Sequence, residues 1–351
     1  MKESPITPLH IELGAVMSHA DGWNMPAVYT DLVDEHLAAR ASCGIFDVSY
    51  LCKFKVQGEG ALPWLEKMFS NSVAELKCGF AHQSLMLNHQ GVIIDKVTLA
   101  SESETLFYLV GSAGQEQTDE RWLCEHLPPQ GVSLSNDTEA WCAIAVQGPD
   151  SETVFHRVFG NLPYPSLYAF TRISYKGDNL FLSRAGVFDE AGVDIYCPSA
   201  RGIYWFEALL AAGAIPCGLK TREYLRMEKG LVTHEDGLGT LTPAVAGLDS
   251  LCSETKDYMG SEVTKAPTHV VRRMVTIRCT EGAGVPKRGD VVLNAQGDEV
   301  GTVTGACTTP ALHYGIAMAM VDADFSPVGT PLFIKCAQST VPAVVSDTAA
   351  A

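Results

Sequence analysis

Asp194 stands between Val193 and Ile195 in a run, Val193-Asp-Ile-Tyr-Cys197, whose apolar and polar residues alternate. Alternation with period two is the pattern of a half-buried strand. Aspartate is depleted in strands because its short carboxylate competes for backbone hydrogen bonds. An aspartate lodged between two β-branched residues therefore has one of two explanations. Either it faces solvent from an edge strand, or a rigid element holds its carboxylate to accept two parallel N–H donors from a planar ligand. Tyr196 shares its face of the strand. Two further candidates are Asp95, which follows the apolar run Val92-Ile-Ile94, and the arginine pair Arg222 and Arg226. The arginines lie four apart on one face of a helix with Glu228 nearby, where a solvated face paired with Glu223 or Glu228 is the plainer reading.

Other chemistries lack their motifs. Gly58-Glu-Gly60 has no third glycine for a dinucleotide loop, and there is no Walker loop, G-x-S-x-G elbow or H-E-x-x-H. The ten histidines form no ligand pair at i,i+4 or H-x-H spacing, and His82 and His89 read as surface or core residues. Eleven cysteines without a C-x-x-C pair or zinc spacing read as free buried thiols in a reducing compartment. A net charge of −16 argues against nucleic-acid backbones and anionic membrane surfaces, though a small anionic ligand needs only a local basic pocket. Met1 to Pro8 is polar and no apolar run is long enough to span a bilayer, so the expectation is a soluble, cytoplasmic protein.

The elements that position these residues follow from periodicity and punctuation. A chain of 351 residues, 46% hydrophobic and 19% charged, is an ordinary globular protein of two or three domains. Residues 5–30 are a short polar lead followed by Asp21 to Tyr29, where Gly22 and Pro26 bracket a turn, with Trp23 and Tyr29 as ligand-wall or core aromatics. Helices are predicted at 30–41, capped by Thr30 or Asp31, and at 58–67, 114–127, 151–159, 202–212 and 221–229. Strands are predicted at 43–51, 53–56, 106–110, 141–146, 170–175, 179–184 and 193–197, and 85–97 reads as a hairpin turning at Asn88 to Gly91. A polar connection over 255–268 marks a domain boundary. Beyond it, short strands at 270–280, 289–294, 299–305, 313–321, 331–336 and 341–346 predict a small closed β-barrel.

In order along the chain, these segments resemble the tetrahydrofolate-dependent aminomethyltransferase family of glycine cleavage, the T-proteins. The resemblance is carried by Thr7-Pro-Leu9, Gly22-Trp-Asn-Met-Pro26 with Tyr29, Asp34-Glu-His36, Phe46-Asp-Val-Ser49 and Gly91-Val-Ile93. It continues in Ala145-Val-Gln-Gly-Pro149, Glu190-Ala-Gly-Val-Asp-Ile195, Cys217-Gly-Leu219, Arg222-Glu-Tyr-Leu-Arg-Met-Glu-Lys-Gly230 and Gly301-Thr-Val-Thr304. It implies an α+β, three-lobed fold around a central folate channel. Residues 1–50 with 138–250 would form a first, folate-binding α/β lobe, 51–137 a second α/β lobe, and 268–351 the barrel. The resemblance also implies that Asp194, where the family usually has glutamate, hydrogen-bonds the pterin, with Arg222 a second ligand contact. Tyr29, Leu51, Val97 and Tyr196 would lie near the ring. The family's two adjacent acids fall on Ile94-Asp95, which leaves Asp95 as the candidate catalytic acid. Its asparagine falls on Ser112, and a basic residue for the folate tail falls on Ala337.

Three functions are compatible with this reading. The first is aminomethyl transfer from a lipoyl carrier protein (H-protein) to tetrahydrofolate. The second moves a methyl group from a small S-, O- or N-methyl compound to the same acceptor, which an apolar residue at Ile94 would suit. The third is a non-enzymatic folate-binding factor in iron–sulfur maintenance, whose cysteine segment is absent from Lys229-Gly-Leu-Val-Thr-His-Glu235. No metal is implied.

Overall fold

The structure is a computed structural model that describes residues 1–185, 192–266, 269–280, 284–308, 314–337 and 339–347. Glu190 and Ala191, the first residues of one motif above, lie outside the described residues. By contact the chain forms two compact units.

The first unit comprises Met1–Met86, Asp95–Arg222 and Thr255–Met259. Its central sheet has six strands in the order Phe170–Tyr175, Asp178–Ser183, Gly192–Pro198, Trp141–Gln147, Gly44–Asp47 and Ile215–Pro216. Helices Ser151–Phe159 and Gly202–Ala211 cover one face. There Phe155, Phe159, Trp205 and Phe206 pack on Ile144, Val146, Val193 and Ile195. This apolar layer explains why every second residue of Gly192–Pro198 is Val, Ile or Cys: those side chains point into it, and full burial of each contributes roughly 1.5–3 kcal/mol. A five-stranded sheet runs Phe80–Leu87, Ile93–Ser103, Leu106–Val110, Lys53–Gln57 and Ser133–Asn136. Helix Leu32–Ala41 starts at Asp31, whose carboxylate accepts from Val33 N–H.

The second unit contains Glu223–Glu254, Gly260–Ala351 and the tight turn around Asn88–Gly91. Its barrel closes in the order Arg272–Cys279, Gly315–Asp322, Glu299–Thr308, Val291–Leu293, Pro331–Lys335 and Thr340–Ser346. Alternate residues, among them Val275, Ile277, Ala317, Ala319, Leu332, Ile334 and Val345, fill its interior. Gly301 is fixed by close strand approach, since a Cβ there would stand 2.4 Å from Met320 O.

The N-terminal segment corrects the sequence reading. Thr7–Glu12 is a helix, and Val16–Ala20 and Trp23–Val28 form a hairpin. The turn is Asp21-Gly22, both with positive φ, rather than Gly22 to Pro26. Pro26 sits inside the strand opposite Met17, next to a bulge between Val16 and Met17, one of the few strand positions where a missing N–H is tolerated.

Candidate active site

Gly192–Pro198 is an interior strand, flanked by Asp178–Ser183 and Trp141–Gln147. That removes the edge-strand explanation for Asp194. Val193, Ile195 and Cys197 enter the core, so Asp194 and Tyr196 project from the opposite face of the sheet. Asp194 stands in register with Ala145 on one side and Ser183 on the other. Both neighbours carry small side chains. Asp194 is half-buried, and no hydrogen bond reaches its carboxyl group from the described residues. Burial pushes this carboxyl up, the Arg222 guanidinium offsets part of the rise, and the balance lies at about 7. Arg222 Nη1 donates to the Tyr50 hydroxyl at 2.9 Å, and the guanidinium lies 5.8 Å from the Tyr50 ring centroid. Arg226 serves a different purpose. It pairs with Glu223 and Asp236 and is almost wholly buried.

Tyr196 lies in register with Phe181 and Ala143. It lines a cavity of about 30 Å³ between the two sheets of this unit. Trp141, Phe170 and Phe181 wall one side, and Lys53, Phe54 and Tyr108 the other. The rings pack tightly, with Phe181 4.8 Å from Tyr108 and 4.9 Å from Trp141 between centroids. A space of this size admits a water or two and is too small for a bicyclic ring. Lys53 is buried at its edge, and desolvation pulls its ammonium down to about 8. Its Nζ donates to Ser49 O at 2.8 Å and Leu51 O at 2.7 Å.

Asp95 belongs to Ile93–Ser103, where Ile93, Asp95, Val97 and Leu99 are buried and Ile94 and Lys96 only partly so. The strand therefore turns Asp95 and Ile94 to opposite sides, as the two-residue period requires. Ser112 N–H donates to Asp95 Oδ2 at 2.7 Å. Cys52 and Asp119 complete a buried group around this carboxylate. The group lies one residue along the ladder from the cavity. Lys53 pairs with Val110, both of which line the cavity, and Gly111 N–H donates to Cys52 O at 2.9 Å.

The structure thus brings Asp194 to Arg222 and Asp95 to Ser112. Tyr29 enters another buried chain: its hydroxyl meets His10 Nδ1 at 2.7 Å, and His10 Nε2 meets Asp47 Oδ2 at 2.8 Å. Leu51 contributes its carbonyl to Lys53, and Val97 is a core residue. His82 is partly buried, and desolvation pulls it down to about 4. Sequence reasoning passed over Tyr50, Lys53, Cys52 and Asp119. Tyr50 adjoins the Phe46-Asp-Val-Ser49 motif and could have been found there; Asp119 has no local signal.

Comparison with known proteins places the chain in a family. The sequence profile of the GCVT N-terminal domain matches residues 6–256, and that of the glycine cleavage T-protein C-terminal barrel domain matches 272–350. An aminomethyltransferase of Bacillus velezensis is 31% identical, over 99% of this chain and 97% of that protein. One from Chlorobaculum tepidum is 32% identical over 98% and 97%. The crystal structure of glycine cleavage system aminomethyltransferase T from Bartonella henselae superposes with a TM-score of 0.90 at 25% identity, covering 98% of this chain and 96% of that one. With both of its halves matched and relatives aligned nearly end to end, the chain belongs to the glycine cleavage T-protein family.

Proposed function

We propose that the protein is a tetrahydrofolate-dependent aminomethyltransferase. In that reaction the one-carbon unit of an aminomethyl group, carried on the lipoyl arm of a carrier protein, passes to tetrahydrofolate. Ammonia leaves and the carrier is released in its dihydrolipoyl form. The observation that carries this reading is the Asp194 carboxyl group: mid-strand, shielded, flanked by Ala145 and Ser183, and without a hydrogen-bond donor from the described residues. A half-buried carboxyl left without a protein donor is open to donors from a ligand. A pterin fits, because its ring N–H and amino group lie side by side and a carboxylate accepts both.

Tetrahydrofolate, when bound, supplies the amine that accepts the carbon. The chain's own residues bind and orient. Asp194 takes the paired N–H groups, and Arg222, braced by Tyr50, sets the local positive charge. Phe181, Trp141 and Tyr196 supply an apolar wall on the same face of the sheet. Asp95, fixed by Ser112 N–H at Oδ2, is the acidic residue whose carboxylate orients the departing nitrogen. In this reading 1–50 with 138–250 form the folate-binding lobe, 51–137 the lobe that delivers Asp95, and 268–351 the barrel. The eleven free cysteines support a reducing, cytoplasmic setting.

The test is turnover with aminomethylated carrier protein set beside a panel of small methylated compounds, each with tetrahydrofolate. Ammonia release that requires the carrier is the expected result. Formation of methyl-folate from a small donor, with no reaction of the carrier, would replace the aminomethyl reading with a demethylase.

A further inference from the structure

Three ionisable groups meet behind the Asp95 carboxylate: Cys52 Sγ, Asp95 and Asp119, all buried and with one ligating atom each within 4.8 Å of the others. They come from three places. Asp95 is on the Ile93–Ser103 strand, Cys52 immediately precedes Lys53–Gln57, and Asp119 is on the Glu116–Glu125 helix. Gly111 makes the convergence possible. A Cβ at that position would stand 2.7 Å from Asp95 Oδ2, 2.8 Å from Cys52 Sγ and 2.9 Å from Asp119 Oδ2. No side chain larger than hydrogen fits among them. The Cys52 thiol donates toward Ser112 O at 3.1 Å and Asp119 Oδ2 at 3.4 Å. Lys53 also adjoins the group, but its ammonium is turned to Ser49 O and Leu51 O.

Two carboxyl groups this close in a dry site cannot both ionise, so they hold one proton between them. The hydrogen bonds say where it rests. Asp95 Oδ2 receives the Ser112 N–H at 2.7 Å and so stands as an acceptor. Asp119 Oδ1 is buried and has no partner among the described residues. A neutral carbonyl oxygen tolerates that; a carboxylate oxygen does not. We infer that Asp119 is a positioning residue for Asp95, to which it donates a hydrogen bond through the one proton the two groups share. Burial and the Asp95 charge push Asp119 up to about 10, so the proton stays in place across neutral pH. The Cys52 thiol, raised by burial well above its usual range, remains a neutral donor. Asp95 is thereby held in one rotamer by Ser112 from one element and Asp119 from another. The inference rests on Asp95 being the acid of the proposed reaction.

The experiment compares Asp119→Asn, Asp119→Ala and Asp95→Asn in the full chain, measuring kcat, the KM for tetrahydrofolate and the pH–rate profile. Asp119→Ala removes the donor. It is expected to lower kcat about tenfold to a hundredfold, leave KM within about threefold, and move the acid limb of the profile up by about one pH unit. Asp119→Asn restores an N–H donor and is expected to keep the limb near its original place and most of kcat. Should Asp119→Ala not fold by circular dichroism, Asp119→Leu gives the same comparison with a side chain of the same branching. An unshifted limb in the alanine or leucine variant, or asparagine behaving like alanine, overturns the inference while Asp95→Asn is inactive. Full activity of Asp95→Asn overturns the reading of Asp95 instead.

Discussion

On the proposed reading, a single side chain at Asp194 couples ligand binding to pH. Burial raises the carboxyl to about 7, so below that pH it is largely protonated and offers one good acceptor where a pterin needs two. Binding should weaken about tenfold for each pH unit below 7 and level off above it. Because the folded-state value lies above the unfolded one, the contribution of this group to stability has the opposite slope. It is fully present below the ordinary carboxylate range and is lost as pH rises toward 7. Titration calorimetry of a tetrahydrofolate analogue from pH 5.5 to 8.5, in buffers of differing ionisation heat, should show proton release near pH 6–7. Asp194→Asn should bind roughly a hundredfold more weakly at pH 8, with the dependence gone. An affinity that stays flat with pH in the unmodified protein would remove Asp194 from the pterin site. This residue was legible in the sequence because a strand of period two leaves a lone aspartate conspicuous. Asp119 was not, because only the pairing of three strands and one helix brings it to Asp95.

Among the elements, helix Leu219–Glu228 shows how one run of sequence serves two ends. Its arginines are four apart and look equivalent, yet Arg222 is turned to Tyr50 and Arg226 is sealed in with Asp236. The Arg226 side chain is 5% exposed and that of Asp236 only 1%. Asp236 also accepts from Thr233 N–H at 3.0 Å, closing a capping box on the short turn His234–Asp236. Removing one member of a buried pair leaves the other charge uncompensated, which costs about 3–5 kcal/mol. Asp236→Ala should therefore lower stability by about that much in urea unfolding, whereas Glu223→Ala should cost under about 1 kcal/mol because Glu223 is 41% exposed. Equal losses from the two variants would contradict the burial. Element boundaries followed local chemistry closely where caps and glycines stood, as at Asp31 and Gly230. The hairpin Val16–Ala20 with Trp23–Val28 was hidden because Pro26 argues against a strand unless a bulge lies beside it, and bulges carry no local signature.

For the whole chain, the order of weak motifs carried more than any one of them. Barrel and sheets were readable since alternation and turn residues recur over long spans. The site was readable only in part, since Asp194 and Arg222 are 28 positions apart and their approach depends on tertiary packing. Binding and stability can be separated at this scale by mass action. A ligand present at about one hundred times its dissociation constant stabilises the folded state by about 2.7 kcal/mol. For a chain of this length, with an unfolding entropy of roughly 2.1 cal/mol/K per residue, that raises Tm by about 3–4 °C. Tetrahydrofolate should produce this rise at pH 8 and a smaller one at pH 6 at the same concentration, following the ionisation of Asp194. Asp236→Ala should start from a lower Tm yet keep the ligand-induced rise, and Asp194→Ala should keep a near-normal Tm and lose the rise. A scan in which both variants lose it would show that the ligand reads general stability and not the carboxylate on the central strand.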